Sequence, residues 1–282
     1  MVEHRPLLNL LTHAVLILGA AIVAFPVYVA LIASTHPATA FGSGTIPLWP
    51  GDRALENYAA MLGTGLSSSG APPLGGMMMN SLIMALVIAI GKIAISITSA
   101  FAIVYFRFPF RQVAFWLIFV TLMLPVEVRI VPTFKVVADL GMLNSYAGLT
   151  VPLIASATAT FLFRQVFLTI PDELMEAARI DGAGPMKFFR DILIPLSRTN
   201  IAALFVILFI YGWNQYLWPL LITTDSDYYT VVAGIKRMAD VADAVPQWNF
   251  VMTAVILAML PPVVVVVGMQ RLFVKGLIEA EK

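Results

Sequence analysis

Between two long apolar stretches the chain reads IPDELMEAARIDGAGPMKFFRDILIP from residue 170 to residue 195. Pro171 favours the start of a helix, the acidic residues after it suit the positive end of the helix dipole, and Gly182 favours termination. A second helix is predicted from Pro185, with apolar side chains on one face and charged side chains on the other. Neither helix is long enough to cross a membrane. The segment therefore predicts two short amphipathic helices with a break between them.

Small and aromatic residues on these two helices favour docking. One stripe of the first helix would hold Leu174, Ala177 and Ala178. One face of the second would hold Phe188, Phe189, Ile192 and Leu193, opposite Lys187, Arg190 and Asp191. A loop between spans usually needs only polar turn residues, so the amphipathic faces and the small residues indicate close contact with another protein.

Six apolar stretches make up most of the remaining chain. Each is long enough to cross about 30 Å of hydrocarbon as a helix of roughly 20 residues. They cover residues 14–33, 77–106, 113–133, 146–168, 201–222 and 251–273, and the loop 170–196 lies between the fourth and the fifth. With 60% hydrophobic and 12% charged residues, the 282-residue chain is too apolar for a soluble globular protein. We predict an all-α membrane protein with six transmembrane helices in a single domain, residues 1–282.

The distribution of lysine and arginine predicts how the spans are oriented. One side collects Arg5, Arg107, Arg111, Arg164, Arg179, Lys187, Arg190, Arg198, Arg271, Lys275 and Lys282, and the other has Arg53, Arg129, Lys135, Lys236 and Arg237. The richer side is expected to be cytoplasmic. Both termini and the loop 170–196 would then face the cytoplasm, while segments 34–76 and 223–249 would face outward.

The first apolar stretch resembles a signal peptide in two respects. Arg5 precedes it, and Ala38-Thr39-Ala40 looks like a cleavage site. Its apolar length exceeds that of a usual signal core, and its removal would leave an odd number of spans. We therefore expect an uncleaved membrane anchor.

Several function classes receive no support from the sequence. The net charge of +1 gives no indication of nucleic-acid binding, and the chain has no cysteine. The three histidines lack ligand spacing with acidic residues, so no metal site is expected. A phosphate-binding loop ending at Gly91-Lys92 would need glycine where Leu86 stands and serine or threonine where Ile93 stands. No cluster of nucleophile and base residues is found, so we expect a transport subunit without an ATPase site, not an enzyme.

The loop carries a resemblance to a known family. The motif begins with Glu176-Ala177-Ala178, and Gly182 follows after three residues. Ile192 follows after nine more residues, and Ile194-Pro195 after one more. The segment resembles the EAA loop of binding-protein-dependent ABC importer permeases. That family usually has leucine where Ile194 stands. The resemblance implies the type I ABC importer permease fold, in which this loop is a coupling helix seated in a cleft of a cytoplasmic ATPase.

The resemblance also implies roles within the loop. Its coupling residues would be Glu176, Ala177, Ala178, Asp181, Gly182, Ala183, Phe188, Ile192 and Pro195. Glu176 would make an ionic contact with the ATPase. The small residues Ala177, Ala178 and Gly182 would permit close approach. Phe188 and Ile192 would hold the loop to the membrane domain. A solvated helix face is the alternative reading of the charged residues, and it is favoured for Glu173 and Arg179.

The implied partners follow from the same family. They are a second homologous permease, two copies of an ATPase that uses ATP and Mg²⁺, an external solute-binding protein and the lipid bilayer. The chain itself would bind no cofactor. Its implied location is the bacterial inner membrane, as a multi-pass protein.

The substrate is implied by a finer similarity. Residues 123–132, 145–149 and 211–219 look most like the glycerol-3-phosphate permeases, within the carbohydrate-uptake subgroup that includes the maltose permeases. The implied substrate is sn-glycerol 3-phosphate, with glycerophosphodiesters as further substrates. An uncharged sugar or polyol is the alternative. An ion-coupled secondary transporter would have more spans and internal repeats, neither of which the sequence has.

Polar residues inside the predicted spans are candidates for the substrate pathway. Lys92 is near the middle of the second span, where a lone cation costs roughly 2.5 to 3.5 kcal/mol, so it should face protein or water. Lys92 and Arg129 would suit a phosphate group. The alternative is that Lys92 pairs within the bundle and that Arg129 pairs with Glu127 or reaches the outer interface. Residues Asn214, Gln215 and Tyr216 interrupt the fifth span and would bind substrate hydroxyls or another helix, whereas Trp218 is expected in an interfacial belt.

Overall fold

The computed structural model describes residues 6–42, 44–66, 71–121, 126–240 and 246–279. Within these ranges the chain forms α-helices and no β-strand, which confirms the all-α prediction. The helices are α1 (Pro6–Ala33), α2 (Ala54–Gly63), α3 (Leu74–Tyr105), α4 (Arg111–Val120), α5 (Val126–Asp139), α6 (Tyr146–Thr150), α7 (Ala157–Leu168), α8 (Asp172–Ile180), α9 (Pro185–Phe188), α10 (Ile194–Leu196), α11 (Arg198–Trp213), α12 (Leu217–Ile222), α13 (Val231–Ala239) and α14 (Trp248–Glu279).

Three helices are long and apolar enough to cross a membrane without interruption. Among the described residues these stretches are Leu8–Ala33, Leu74–Tyr105 and Trp248–Gln270, which overlap the first, second and sixth predicted spans. Most side chains of α1 and many of the large apolar side chains at residues 259–267 are exposed. Lipid would cover such surfaces, because a hydrocarbon solvent favours apolar side chains on the outside of a helix.

Two further pairs of helices are apolar enough together to cross a membrane, but each is bent at a short break. The fourth predicted span consists of Tyr146–Leu153 and Ala157–Leu168, with a bend of 47° between them. Pro152 removes one backbone donor, and Ser156 restarts the helix by accepting a 3.2 Å hydrogen bond from the amide of Ala159. A second bent pair, Pro185–Leu196 and Arg198–Trp213, turns by 73°. If each bent pair counts as one span, up to five spans are found in the part of the chain that the structure describes.

The third predicted span, residues 113–133, is divided between α4 and α5, and residues 122–125 lie outside the described ranges. Helix α4 is apolar but has only ten residues. Its Phe115 ring contacts α7, because the guanidinium carbon of Arg164 lies 4.2 Å from the ring centroid. The count of six spans therefore stays a prediction.

The fold separates into two compact units. The first comprises described residues within 1–76 and 234–260. A buried polar network holds it together: the Ser34 carbonyl accepts hydrogen bonds from Asn57 Nδ2 at 2.8 Å and Thr253 Oγ1 at 3.4 Å, and Asn249 Nδ2 donates to Asn57 Oδ1 at 3.2 Å. These contacts join the end of α1 to α2 and α14, and they satisfy polar groups that are buried in this unit.

The second unit comprises described residues within 77–233 and 261–282. Its apolar core contains Met84, Ile88, Val137, Leu149, Trp218 and Ile222. Helices α3 and α11 cross closely here, because a Cβ atom on Gly212 would lie 2.8 Å from the Cα atom of Ala85. Asn80 of α3 holds the segment after α12, donating hydrogen bonds to the carbonyls of Asp227 at 2.7 Å and Tyr229 at 3.0 Å. Both candidate sites described below lie in this unit.

Candidate functional site

The loop 170–196 forms two helices with a break, as the sequence predicts. Helix α8 begins after Pro171 and ends at Ile180; Asp181 caps it, and Gly182 follows with a φ of +71°. This left-handed backbone lets the amide of Ala183 donate to the carbonyl of Ala178 at 2.8 Å, which closes the helix end. The chain then turns into α9 at Pro185 and continues through a π-helical turn, Phe189–Leu193, into α10.

Aromatic side chains hold this loop to the ends of α3 and α7. The Phe189 and Phe101 ring centroids are 4.7 Å apart, and Phe188 meets Tyr105 edge-on at 5.3 Å. The Tyr105 hydroxyl in turn donates to the carbonyl of Phe167 at 3.3 Å. Such aromatic pairs contribute about 0.5 to 1.5 kcal/mol each beyond area burial. The loop is therefore firmly attached along the inner face of its second helix.

The two faces of that second helix are as predicted. Phe188, Phe189 and Leu193 are buried and Ile192 is half-buried, whereas Lys187, Arg190 and Asp191 are exposed. The side chain of Arg190 donates a 2.7 Å hydrogen bond to Asp191, and this bond lowers the pKa of the Asp191 carboxyl. The charged face is thus hydrated and paired, and the apolar face attaches the loop to the spans.

The outer face of α8 is acidic and partly apolar. Glu176, Ala177, Asp181 and Gly182 are exposed, and among the side chains that the structure describes Glu176 forms no ion pair. The two most exposed large apolar side chains of the loop are Ile180 at 86% and Met186 at 69%. Ala178, by contrast, is buried within the chain, so its small size serves the packing of α8 itself. Of the other predicted coupling residues, Ala183 is half-buried and Pro195 is exposed.

An open recess of about 1060 Å³ lies between α8 and the ends of α3 and α7. Its lining includes three arginines, Arg107, Arg111 and Arg179, and one acidic residue, Asp172. The recess is therefore positively charged. Its arginines belong to the group whose clustering predicts the cytoplasmic side.

A second candidate site lies around Lys92 in the middle of α3. Lys92 is 7% exposed, and its Nζ atom lies 3.8 Å from the centroid of the Tyr211 ring on α11. No described carboxylate forms an ion pair with Lys92, and the side chain of Glu127 lies outside the described residues. The ring therefore provides a cation–π contact, whose attraction increases when both partners are desolvated.

Two further polar groups surround the Lys92–Tyr211 pair. Arg129 of α5 is exposed and acts electrostatically on both Lys92 and Tyr211. Gln215 donates a 3.1 Å hydrogen bond to the carbonyl of Tyr211. Asn214 is exposed and Tyr216 is half-buried in the break between α11 and α12. Tyr211 thus contacts both Lys92 and Gln215, and Arg129 lies close enough to act electrostatically on Lys92 and Tyr211.

One expectation about this region is wrong. Trp218 was expected at the membrane interface, but it is 4% exposed, and its indole nitrogen donates a 3.1 Å hydrogen bond to the carbonyl of Gly148. The break before α12 turns this ring into the core of the second unit. An aromatic residue at the end of an apolar stretch does not show by itself whether lipid or protein surrounds it.

Comparison with known families identifies the kind of protein. The family model described as "Binding-protein-dependent transport system inner membrane component" matches residues 92–279, which is more than half of the chain. The chain belongs to this family. It is therefore a membrane component of a binding-protein-dependent transport system.

Relatives match this permease over its full length. It is 60% identical over 282 residues, covering all of both chains, to proteins of Brucella melitensis and Agrobacterium fabrum that are named "sn-glycerol-3-phosphate transport system permease protein UgpE". The protein with the same name in Escherichia coli K12 is 58% identical over the same length.

A solved structure shows the same fold. A chain from the crystal structure of a bacterial ABC transporter involved in the import of the acidic polysaccharide alginate matches with a TM-score of 0.81 and 19% identity. The match covers 96% of this permease and 98% of that chain. This permease therefore has the fold of that ABC importer chain.

Tyr211 is the residue of the second site that sequence reasoning missed. It lies at the start of residues 211–219, but a single sequence gives no signal that pairs a residue of the fifth span with Lys92 in the second. Gly212 is a partial signal, because a glycine inside an apolar helix often marks a close helix crossing. That crossing brings α11 against α3 and Tyr211 over Lys92.

Proposed function

We propose that this permease is one of two membrane subunits of an ATP-driven importer that takes up sn-glycerol 3-phosphate, with glycerophosphodiesters as further substrates. The observation that carries the proposal is the 58 to 60% identity, over the full length of both chains, to permeases named for sn-glycerol 3-phosphate transport. Full coverage at this identity supports a shared substrate, which a shared fold alone would not.

In this proposal the loop 170–196 couples the permease to its ATPase. Glu176, which is exposed and forms no ion pair within the described ranges, would make the ionic contact, and the exposed Ile180 and Met186 would enter the cleft of the ATPase. Phe188 and Phe189 would transmit the movement, because they pack against the end of α3. ATP and Mg²⁺ would be bound by two copies of the ATPase and not by this chain.

The proposed orientation follows the positive-inside rule. The loop 170–196 and both termini would face the cytoplasm, and segments 34–76 and 223–249 would face the external side of the bacterial inner membrane. A solute-binding protein would deliver the substrate there. Closure of the ATPase dimer would favour one of two states of the permease pair, which is the thermodynamic basis of alternating access.

Reconstitution tests this function directly. The permease is purified with its partner permease and ATPase, placed in proteoliposomes and supplied with the binding protein and radiolabelled sn-glycerol 3-phosphate. We expect uptake that requires both ATP and the binding protein. Uptake that persists without them would contradict an ABC importer, and ATP-dependent uptake of maltose or glycerol without uptake of sn-glycerol 3-phosphate would contradict the substrate.

A further inference from the structure

Lys92 is a buried cation for which the fold provides no described anion. It lies at the middle of a 32-residue membrane helix, is 7% exposed and contacts the face of Tyr211. The face of the ring attracts the ammonium group but does not accept a conventional hydrogen bond from it. The three N–H donors of Lys92 are therefore available for an oxygen ligand.

A second cation lies near enough to repel the first. Arg129 acts on Lys92 as a like charge. Two cations that repel each other in a membrane unit are unfavourable unless an anion interacts with both. Arg129 is exposed in this subunit, so one side of the pair is open to a ligand.

The uncharged groups at this place suit the same ligand. The phenol of Tyr211 and the amide of Gln215 are hydrogen-bond donors; the Tyr211 ring contacts Lys92, and the Gln215 side chain contacts the Tyr211 backbone. An ammonium group, a guanidinium group and neutral donors together match the charge and the oxygen atoms of a phosphate monoester.

We infer that Lys92, Arg129, Tyr211 and Gln215 form the subsite at which this permease binds the phosphate group of its substrate during transport. This inference rests on the proposed function, and it assigns the phosphate to one side of the pathway. The substrate anion relieves the repulsion between the two cations, so the site is unfavourable when empty and favourable when loaded.

The test uses the complete transporter in proteoliposomes with saturating binding protein and labelled sn-glycerol 3-phosphate. Uptake and ATP hydrolysis are measured for Lys92→Met, Lys92→Arg and Arg129→Gln. Loss of one charge-assisted contact is expected to lower uptake about tenfold or more in Lys92→Met and Arg129→Gln. ATP hydrolysis stimulated by the loaded binding protein should stay within about twofold, and Lys92→Arg should retain more uptake than Lys92→Met.

A matched lysine is available as a control. Lys135 lies on α5, is exposed and pairs with Asp139 at 2.8 Å. Lys135→Met removes the same charge away from the site, and we expect wild-type uptake. A decrease equal to that of Lys92→Met would overturn the subsite, since net charge alone would then explain the effect.

Two further outcomes would overturn the subsite. Uptake and ATP hydrolysis that fall together in Lys92→Met and Arg129→Gln would indicate a structural role. Wild-type uptake in Lys92→Met/Glu127→Gln would show that Lys92 only neutralises Glu127. If the Lys92→Met transporter fails to assemble, uptake by the Arg129→Gln variant is the test, because Arg129 is exposed. Unchanged uptake in Arg129→Gln then rejects the proposal.

The wild-type transporter separates this inference from the proposed function. A wild type that transports another solute but not sn-glycerol 3-phosphate refutes the function. A wild type that transports sn-glycerol 3-phosphate, with variants that behave identically to it, refutes only the phosphate subsite.

Discussion

Gly182 has a φ of +71°, where a residue with a Cβ atom is strained by roughly 1 to 2 kcal/mol. A Cβ atom there would meet nothing within 4 Å, so the backbone conformation alone would oppose a substitution. We expect Gly182→Ala to loosen the turn between α8 and α9 and to lower the ATPase activity that the loaded binding protein stimulates. The decrease should be severalfold.

A second glycine two residues later controls for the added methyl group. Gly184 has a φ of −70°, which any residue adopts, and a Cβ atom there also has no neighbour within 4 Å. Gly184→Ala should therefore have wild-type activity. Equal activity in the two variants would show that the left-handed turn is unimportant for coupling.

Glu176 and Glu173 are both exposed on α8, which allows a charge reversal to be compared at two places on one helix. If Glu176 makes the ionic contact with the ATPase, Glu176→Lys should reduce the amount of ATPase that copurifies with the permease about tenfold. Glu173→Lys should reduce it less than twofold. A similar decrease in both variants would point to general electrostatic repulsion and not to a specific contact at Glu176.

Single residues differ in how far the sequence alone could place them. The break at Gly182 and Pro185 is predictable because backbone preferences act locally. The burial of Trp218 and the contact of Lys92 with Tyr211 are not, because each depends on elements that are distant in the sequence. Local chemistry therefore predicted the loop better than it predicted the site within the spans.

Among the elements, the crossing of α3 and α11 depends on Gly212. A Cβ atom there would lie 2.8 Å from the Cα atom of Ala85, and two backbones cannot relax as a flexible side chain can. We expect Gly212→Ala to destabilise the permease by about 1 to 3 kcal/mol, as overpacking usually does. Thermal unfolding of the purified permease in detergent measures the effect.

Gly268 of α14 provides the comparison for Gly212, because a Cβ atom on it has no neighbour within 4 Å. Gly268→Ala should leave the unfolding temperature unchanged or raise it, since alanine favours helix more than glycine does. An unfolding temperature that is the same for Gly212→Ala and wild type would show that the helices separate at this crossing without loss of stability.

Helix boundaries were less predictable than helix type. Apolar length identified α1, α3 and α14, because the hydrophobic requirement of a bilayer acts on composition over about 20 residues. Apolar length did not predict that residues 201–222 divide into α11 and α12 at Asn214–Tyr216. The Tyr211 carbonyl accepts its hydrogen bond from the Gln215 side chain there, and Trp218 turns into the core. Tertiary contacts such as these have no periodic signal.

For the whole molecule, the orientation of the membrane subunit connects the two sites in function. In the proposed importer the loop 170–196 would face the ATPase, and the Lys92 subsite would be accessible from the pathway between the two permeases. Both requirements are met if the arginine-rich ends of the helices are cytoplasmic, as the positive-inside rule predicts. The opposite orientation would place Glu176 outside the cell, away from any source of ATP.

The absence of cysteine from the sequence makes this orientation measurable, because a single introduced thiol is the only one in the chain. Leu55 of α2 is 88% exposed in the segment expected outside, and Met186 is 69% exposed on the loop expected inside. With the permease expressed without its ATPase, a membrane-impermeant maleimide should label Leu55→Cys in intact spheroplasts. It should label Met186→Cys only after lysis. Labelling of Met186→Cys before lysis would place the loop outside and rule out its contact with a cytoplasmic ATPase.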